Sequence, residues 1–383
     1  MRAGSMRLAE VSESAIRHNV QLLREKTGGD LITVIKANGY GHGREIVARA
    51  AMEAGTSLLA VADLEEALQL RDAGIDAPLL CWLHGQAVDF TEALARRVEI
   101  GISHIDQLEH LAQARTARMH RGSVGADHPG TIQLKLDTGL SRNGASQGEW
   151  KHLFSRAADL EREGAVRIRG VFSHLANAGD EADRAQAAQF DKAITMLGEL
   201  GVDPPMKHLA ASAATLRSPH LFYNTVRVGM ATFGLSPFAG VTSAELGLKP
   251  AMRLRSQIVS LRDVPEGTGV SYGYNYRTSE ATVLGLVPIG YADGMPRALN
   301  NSGATVSIHG QHRPIVGRIG MDQCIVDLGV ELGSRVSVGD DVILFGDPER
   351  GEPPVEEWAD RLHTINYEVV ASLGPRVRRV AVN

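Results

Sequence analysis

The apolar pair Val34-Ile35 ends on a lysine, and Lys36 is followed by Ala37-Asn38-Gly39-Tyr40-Gly41-His42-Gly43. An amine leaving an apolar strand is partly desolvated, which lowers its pKa and favours the neutral form that attacks a carbonyl. The glycines let the backbone come close to a ligand. Taken alone, a lysine snorkelling beside a flexible loop explains the stretch equally well, because short glycine-spaced fragments are weak signals. Other reactive types end other apolar runs: Ser173-His174, then His208 and Ser212, then Arg227 with Gly229 and Met230. Ser212, opening Ser-Ala-Ala-Thr-Leu, suits a hydroxyl donor at a helix N-terminus, and Gly229-Met230 would offer amides to an anion. Arg142 lies between glycines in the stretch Thr138 to Gly144, where its planar fork suits a carboxylate, a surface salt bridge being the ordinary alternative. Tyr272, Tyr274 and Tyr291 stand in glycine-rich turns. Such tyrosines commonly just pack the turn; they gain chemical meaning only if their domain, or its copy in a partner chain, covers the site.

The elements that would position these residues alternate. Strand-like runs are predicted at Leu31–Ile35, Leu58–Val61, Pro78–Cys81, Glu99–Ile102, Ile132–Leu136, Ile168–Phe172, Met206–Leu209 and Thr225–Val228, with helical spacing between most of them. Ile16, Val20 and Leu23 form one helical face, and Asp63 with Glu66 reads as a capping box opening another helix. Thr138–Leu153 and Glu181–Leu200 are further helix-bearing stretches. Eight strands with crossovers in about 200 residues suit a closed (β/α)8 barrel. An open doubly wound sheet would carry fewer strands and a nucleotide fingerprint after the first. In a barrel the residues named above fall at the C-terminal mouth, where active sites are built, and the last two loops are the usual phosphate seat. The convergence points to a barrel enzyme holding a phosphorylated ligand beside a lysine.

After Gly240 the texture changes. Strand-like runs at Met252–Leu261, Thr282–Val287, Ala304–Ile308, Ile315–Ile319, Cys324–Leu328 and Val342–Phe345 are separated by turn clusters such as His309-Gly310. The fold class expected is therefore α/β, an N-terminal TIM-like (β/α)8 barrel over residues 10–243 followed by a mainly β domain over 244–383. The N-terminal strand, residues 1–9, is a candidate to join the second domain.

The 383 residues suit two domains, and 43% hydrophobic with 22% charged residues is ordinary for a globular chain with a full core. A formal net charge of -5 argues against a general nucleic-acid binder. Cys81 and Cys324 are too few for a disulfide framework and read as buried thiols in a reducing compartment. No apolar run is long enough for a membrane helix, and residues 1–6 have no secretory h-region, so a cytoplasmic protein is expected. The 14 histidines include no metal-ligand spacing, and no nucleophile elbow appears.

The lysine block, residues 34–43, resembles the cofactor-lysine motif of the alanine racemase family. The same family is echoed by Leu134–Gly139 with Arg142, Ser173-His174-Leu175, Val226–Gly229, Ser271-Tyr272-Gly273, Gly290–Gly294, Gly317–Asp322 and Asn366-Tyr367-Glu368, in family order over essentially the whole chain. The resemblance implies a pyridoxal 5'-phosphate enzyme that interconverts L-alanine and D-alanine, supplying D-alanine for peptidoglycan, as a head-to-tail homodimer with two shared sites. Lys36 would hold the cofactor and act as one base, and Tyr272 of the partner subunit as the other. Arg227 would face the pyridine nitrogen, with His174 and His208 around it. Tyr40, Ser212, Gly229, Met230 and Tyr367 would hold the phosphate. Arg142, the Met321 amide and Tyr291 would serve the substrate, and Lys135 matches a lysine that the family often carbamylates. Ala211, Gly320 and Gly39 depart from the usual asparagine, small residue such as cysteine, and alanine. A racemase of broader specificity or one for serine remains open, since a pocket separates one methylene by only ~1–3 kcal/mol. So do a related decarboxylase and a non-catalytic pyridoxal-phosphate carrier, both of which match the second-domain blocks less well.

Overall fold

A computed structural model describes residues 6–85, 88–123, 125 and 128–383. Residues 1–5, and with them most of the opening read above for a secretory signal, lie outside the described residues. The first strand, β1 (Leu8–Ser12), hands over directly to the helix Glu13–Thr27. Ser12 caps that helix by accepting from the Ala15 amide at 3.1 Å, and Gly28 ends it in the left-handed conformation. Its predicted face, Ile16, Val20 and Leu23, is fully buried against the barrel.

The barrel is closed by eight parallel strands: β2 (Asp30–Val34), β3 (Leu58–Val61), β4 (Leu79–Cys81), β5 (Glu99–Ile102), β6 (Gly130–Lys135), β7 (Val166–Phe172), β8 (Met206–His208) and β9 (Thr225–Val228). Closure is made by β9 pairing with β2, Val226 opposite Leu31 and Arg227 opposite Ile32. Ile32, Val34, Leu58, Ala60, Leu80 and Met206 form one buried apolar cluster contributed by four of these strands. The predicted runs match these strands to within two residues at each end. The stretch expected from Thr138 holds its helix only from Gln147, because Ser146 and Glu149 form the capping box there. The preceding residues are the loop that carries Arg142.

The second domain is a nine-stranded sheet in the order β11-β14-β17-β16-β15-β18-β10-β1-β19. Its strands are β10 (Met252–Gln257), β11 (Ser260–Val264), β14 (Thr282–Val287), β15 (Thr305–Ile308), β16 (Gln311–Val316), β17 (Cys324–Asp327), β18 (Asp341–Phe345) and β19 (Arg378–Val382), with β12 (Gly269–Val270) and β13 (Tyr276–Arg277) forming a separate ribbon. N-terminal β1 thus pairs antiparallel with β10 and parallel with β19, inside the C-terminal sheet. Two expectations need correction. The single run Met252–Leu261 is two strands, because the chain changes partners between them: the Ile258 amide turns to the Asp340 carbonyl and that of Val259 to Leu286. The run Ile315–Ile319 is displaced to Gln311–Val316, because the backbone enters the left-handed region at Gly317, with φ 69°, and leaves the ladder. Its first half is polar and half exposed, so apolar patterning was blind to it. His309 and Gly310, both at positive φ, form the two-residue hairpin that joins β15 to β16, as strand twist requires. Helices Val355–Leu362 and Asn366–Ala371, not foreseen from the sequence, lie between β18 and β19, and the second carries Tyr367 toward the barrel mouth. Cys81 and Cys324 are buried free thiols, each pushed up by burial, Cys324 to about 12. No described helix is long and apolar enough to cross a membrane.

Candidate active site

Immediately after β2 the chain makes one helical turn, Lys36–Tyr40, of the wrong hand. Ala37, Asn38, Gly39 and Tyr40 have φ of 53°, 54°, 64° and 50°. Such a conformation costs roughly 1–2 kcal/mol for each residue with a Cβ, so the surroundings must hold it. Asn38 Oδ1 accepts from the Arg44 amide at 3.0 Å. His42 Nδ1 donates to the carbonyls of Tyr40 at 2.9 Å and Gly39 at 3.1 Å, and Arg379 Nε donates to Gly41 at 2.8 Å. The Ala37 amide, next to Lys36, donates to Glu66 at 2.6 Å. The turn carries the Lys36 amine to 6.0 Å from the Tyr40 ring centre, inside a cavity of about 1120 Å³ at the barrel mouth.

Arg227, at the end of β9, is buried, and both of its terminal nitrogens are engaged. One terminal nitrogen donates to His208 Nδ1 at 2.9 Å; the other donates to His174 Nδ1 at 2.9 Å and to the Ser173 carbonyl at 2.8 Å. The order continues down the barrel axis. His208 Nε2 donates to Gln133 Oε1 at 2.7 Å, Gln133 Nε2 donates to Glu99 at 2.8 Å, and Glu99 is paired with Arg169. The direction of every proton in this row is fixed, because a cationic guanidinium can only donate and a carboxylate can only accept. His208 therefore carries its proton on Nε2 and is neutral. Desolvation, and then Arg227, pull His208 well below its ordinary value and His174 to about 3. Arg227 itself is lowered by burial to about 10, which leaves it charged at neutral pH.

The other side of the mouth is a seat of hydroxyls and amides. Ser212 Oγ accepts from the Gly229 amide at 3.1 Å and from Ala231 at 3.4 Å. The Gly229 amide thus meets the Ser212 hydroxyl, which keeps a proton of its own to donate. A Cβ on Gly229 would lie 2.4 Å from the Tyr40 hydroxyl, so only glycine lets the two approach. Tyr40 packs edge-on to Tyr367 at 6.5 Å, and Met230 lines the same cavity. Burial raises the Tyr40 phenol well above its ordinary value, so it is a hydrogen-bond donor here.

Lys36 is lowered by burial first, then by Arg142. Lys135, at the end of β6, is lowered to about 7 by burial and by Arg227, Arg142 and Lys36. Arg142 has no carboxylate partner among the described residues, so the surface salt bridge considered for it does not form and its guanidinium faces the cavity.

Tyr272, Tyr291 and Met321 are not brought to this mouth within the chain. They lie on the second domain and are 73%, 41% and 53% exposed. Backbone bonds join their loops: the Tyr291 amide donates to the Gly320 carbonyl at 3.1 Å, and Ala292 to Met321 at 2.9 Å. Ser271 Oγ donates to the Arg318 carbonyl at 2.6 Å, anchoring the Tyr272 turn to the same strand exit. Asp293, fully buried, ties the set to the chain ends by pairing with Arg7 and Arg376, each at 2.9 Å. Of the positions that depart from the family pattern, Ala211 precedes Ser212 at the cavity wall, Gly320 stands beside Met321, and Gly39 lies in the left-handed turn.

Sequence reasoning missed Gln133, Glu99, Arg169 and the second role of Glu66. A signal for the first existed: Gln133 interrupts the apolar run Ile132–Leu136, and a polar residue buried in a barrel strand must find a partner.

Comparison with known proteins adds the family. Residues 11–237 match the model of the alanine racemase N-terminal domain, and residues 251–381 that of the alanine racemase C-terminal domain. The chain is 41% identical over 367 residues to the alanine racemase of Salinispora tropica, covering 95% of each, and 43% identical over 369 residues to that of Mycolicibacterium smegmatis, covering 95% of this chain and 92% of the relative. Among solved structures, the alanine racemase of D-cycloserine producing Streptomyces lavendulae superposes with a TM-score of 0.93 at 40% identity, covering 100% of this chain and 98% of that one. The Bacillus anthracis enzyme with bound L-Ala-P gives 0.85 at 32%, covering 100% and 96%.

Proposed function

The chain belongs to the alanine racemase family, and from that premise we propose that Lys36 and Tyr272 of the partner subunit are its two opposed bases. The reaction is the interconversion of L-alanine and D-alanine, whose general role is supply of D-alanine for peptidoglycan. The observation that carries the residue assignment is Arg227, buried, charged and pinned between two neutral histidines beside a desolvated amine.

The residues present fit pyridoxal 5'-phosphate. Lys36 offers an amine for its aldehyde, Arg227 a charged donor for its ring nitrogen, and Tyr40, Ser212, Met230, Gly229 and Tyr367 a seat for its phosphate, which the close approach at Gly229 makes room for. When bound, that group supplies the sink for the electrons left when the α-proton departs. The protein does the rest. Racemisation removes a proton on one face and returns one on the other, so two proton carriers on opposite sides are needed. Burial and Arg142 favour the neutral Lys36 amine, as a base requires. Arg142, the Met321 amide and Tyr291 orient the substrate carboxylate and close the entrance. Arg227 stays charged and His174 and His208 stay neutral, so none of the three competes as a proton source near pH 7.

The same proposal includes a head-to-tail homodimer. It is supported by Tyr272, Tyr291 and Met321 standing exposed on one anchored surface, where a second chain's barrel mouth would cover them. Lys135 is proposed to carry a carbamate, formed by attack of its neutral amine on carbon dioxide with release of one proton. Its depressed pKa favours that amine, and a negative group would sit well between Arg142 and Arg227. A cytoplasmic enzyme is supported by two buried, unpaired thiols.

The test is α-proton exchange in heavy water with L- and D-alanine. Lys36→Ala should lose exchange altogether, and borohydride reduction with peptide mapping should tag Lys36 in the wild type. Tyr272→Phe should still be tagged yet lose at least ~100-fold in rate, the low end for a general base. Wild-type interconversion by Tyr272→Phe, or a tag on another lysine, refutes the assignment.

A further inference from the structure

Glu66 lies in the first turn of the helix Leu64–Asp72, where the sequence suggests one half of a capping box. Asp63 does its part, accepting from the Glu66 amide at 2.9 Å. Glu66 does not reciprocate. Its carboxylate oxygens instead accept from the amides of Ala37 at 2.6 Å and Ala62 at 3.0 Å. Those amides follow the ends of β2 and β3, strands paired through Val34 and Ala60. One carboxylate therefore clips together two neighbouring strand ends at the barrel mouth. One of its two bonds lands on the residue next to Lys36, at the first left-handed position of the strained turn.

We propose that Glu66 is a positioning residue of the reaction: by holding the Ala37 amide it fixes the direction in which the Lys36 side chain leaves its strand. The inference rests on the reading of Lys36 as cofactor anchor and base. The other side-chain contacts of the turn, from Asn38, His42 and Arg379, act beyond Ala37, so its start is held by Glu66 together with two backbone bonds, from the Gly39 amide to Ile35 and from the Gly41 amide to Ala37, each at 2.9 Å. A hydrogen bond to an ionised acceptor is about twice as strong as a neutral one, which suits a clamp on an unfavourable backbone. The helix does not need Glu66 to begin, because Asp63 caps it and Ala67 and Leu70 are buried behind it. The groups that face the Lys36 amine are Arg142, Arg227, Lys135, His174, the Tyr40 ring and Glu66. Glu66 is the carboxylate among them, so its removal also leaves the amine facing cations without an opposing charge.

The experiment compares the full-length wild type with Glu66→Ala, Glu66→Gln and, as control, Glu65→Gln, whose exposed side chain accepts from Gln69. Two readouts are taken: kcat and KM of the pyridoxal-phosphate-loaded protein, and the pH dependence with which trinitrobenzenesulfonate labels Lys36 in the chain freed of cofactor, located by peptide mapping. Glu66→Ala is expected to lower kcat on the order of 100-fold, the effect of misplacing a reacting group by about 1 Å, with KM within about threefold. Glu66→Gln keeps an acceptor for one amide and should recover part of kcat, while both variants label Lys36 at lower pH than the wild type. Wild-type kcat in Glu66→Ala, or a loss confined to KM, overturns the proposal. Should Glu66→Ala fail to fold, Glu66→Gln decides alone: wild-type kcat with an unmoved labelling profile overturns it. Racemisation retained by Lys36→Ala would instead sink the parent reading, so the two failures are separable.

Discussion

The barrel mouth and the tyrosine-bearing surface of the second domain are built by opposite means. At the mouth, burial sets the chemistry: Arg227, His208, His174, Lys36 and Lys135 are all shifted, with desolvation the first cause in each case. On the second domain, Tyr272, Tyr291 and Met321 are exposed, and what is organised is the backbone beneath them. The mouth holds its groups ready in the isolated chain. The second surface holds a shape whose groups acquire an environment only when something covers them. Under the proposed assignment, a partner subunit that brings Tyr272 to the mouth would both complete the site and dry it.

The comparison is broken most severely where the second surface rests on a buried charge, Asp293. Asp293→Ala removes the carboxylate that Arg7 and Arg376 share and the acceptor for the Gly290 amide at 2.9 Å. Breaking a buried pair from one side costs about 3–5 kcal/mol, so urea unfolding should show a loss of that size. The Tyr291 and Met321 loops should loosen with it, raising KM. An unfolding curve equal to that of the wild type would mean that the surface is organised by its turns alone.

Next comes pH, which should act on the barrel rather than on the tyrosine surface. Burial holds His42 at about 4 in the folded chain against an ordinary value near 6.5. Below about pH 6.5 the unfolded chain therefore takes up a proton that the folded one refuses. The stability is complete above that pH and falls as pH drops toward 4, by about 3 kcal/mol for this residue. His174, held at about 3, adds to the same slope in the same direction. The measurement is the unfolding midpoint between pH 4 and 7 in wild type and His42→Asn. A slope identical in the two chains would show that the His42 ring is not buried neutral.

This asymmetry also explains what could be read from the sequence. The barrel strands and the residues at their ends were legible because most strands are short apolar runs and several stop on a reactive type, as at Ile35-Lys36 and Phe172-Ser173-His174. The row from Arg227 through His208 and Gln133 to Glu99 was not, because its members come from four strands and only closure of the barrel aligns them. Glu66 was read correctly as lying at a helix start but assigned the wrong amide, since the competing donors, Ala37 and Ala62, belong to loops whose nearness is tertiary. In the second domain, the first four residues of strand β16 escaped because Gln311-His312-Arg313-Pro314 carries no apolar alternation. The chain change between β10 and β11 escaped because a continuous pattern cannot show an exchange of partners.

The smallest expected effect on folding falls on the residue with one of the largest expected effects on rate. Tyr272 is 73% exposed, and the hydrogen bonds of its turn run through Ser271 and the backbone rather than its phenol. Deleting the hydroxyl in Tyr272→Phe should therefore leave the unfolding free energy within about 0.5 kcal/mol of the wild type, as for surface substitutions away from special features. Rate and stability should thus separate completely at this position, whereas at Glu99 or Gln133 they cannot, since either change strands a buried polar partner. If Tyr272→Phe lowered stability by 1–2 kcal/mol in a dilute, dimer-dissociated sample, the phenol would have to make a bond within its own chain. The second surface would then be a finished structure rather than half of a shared one.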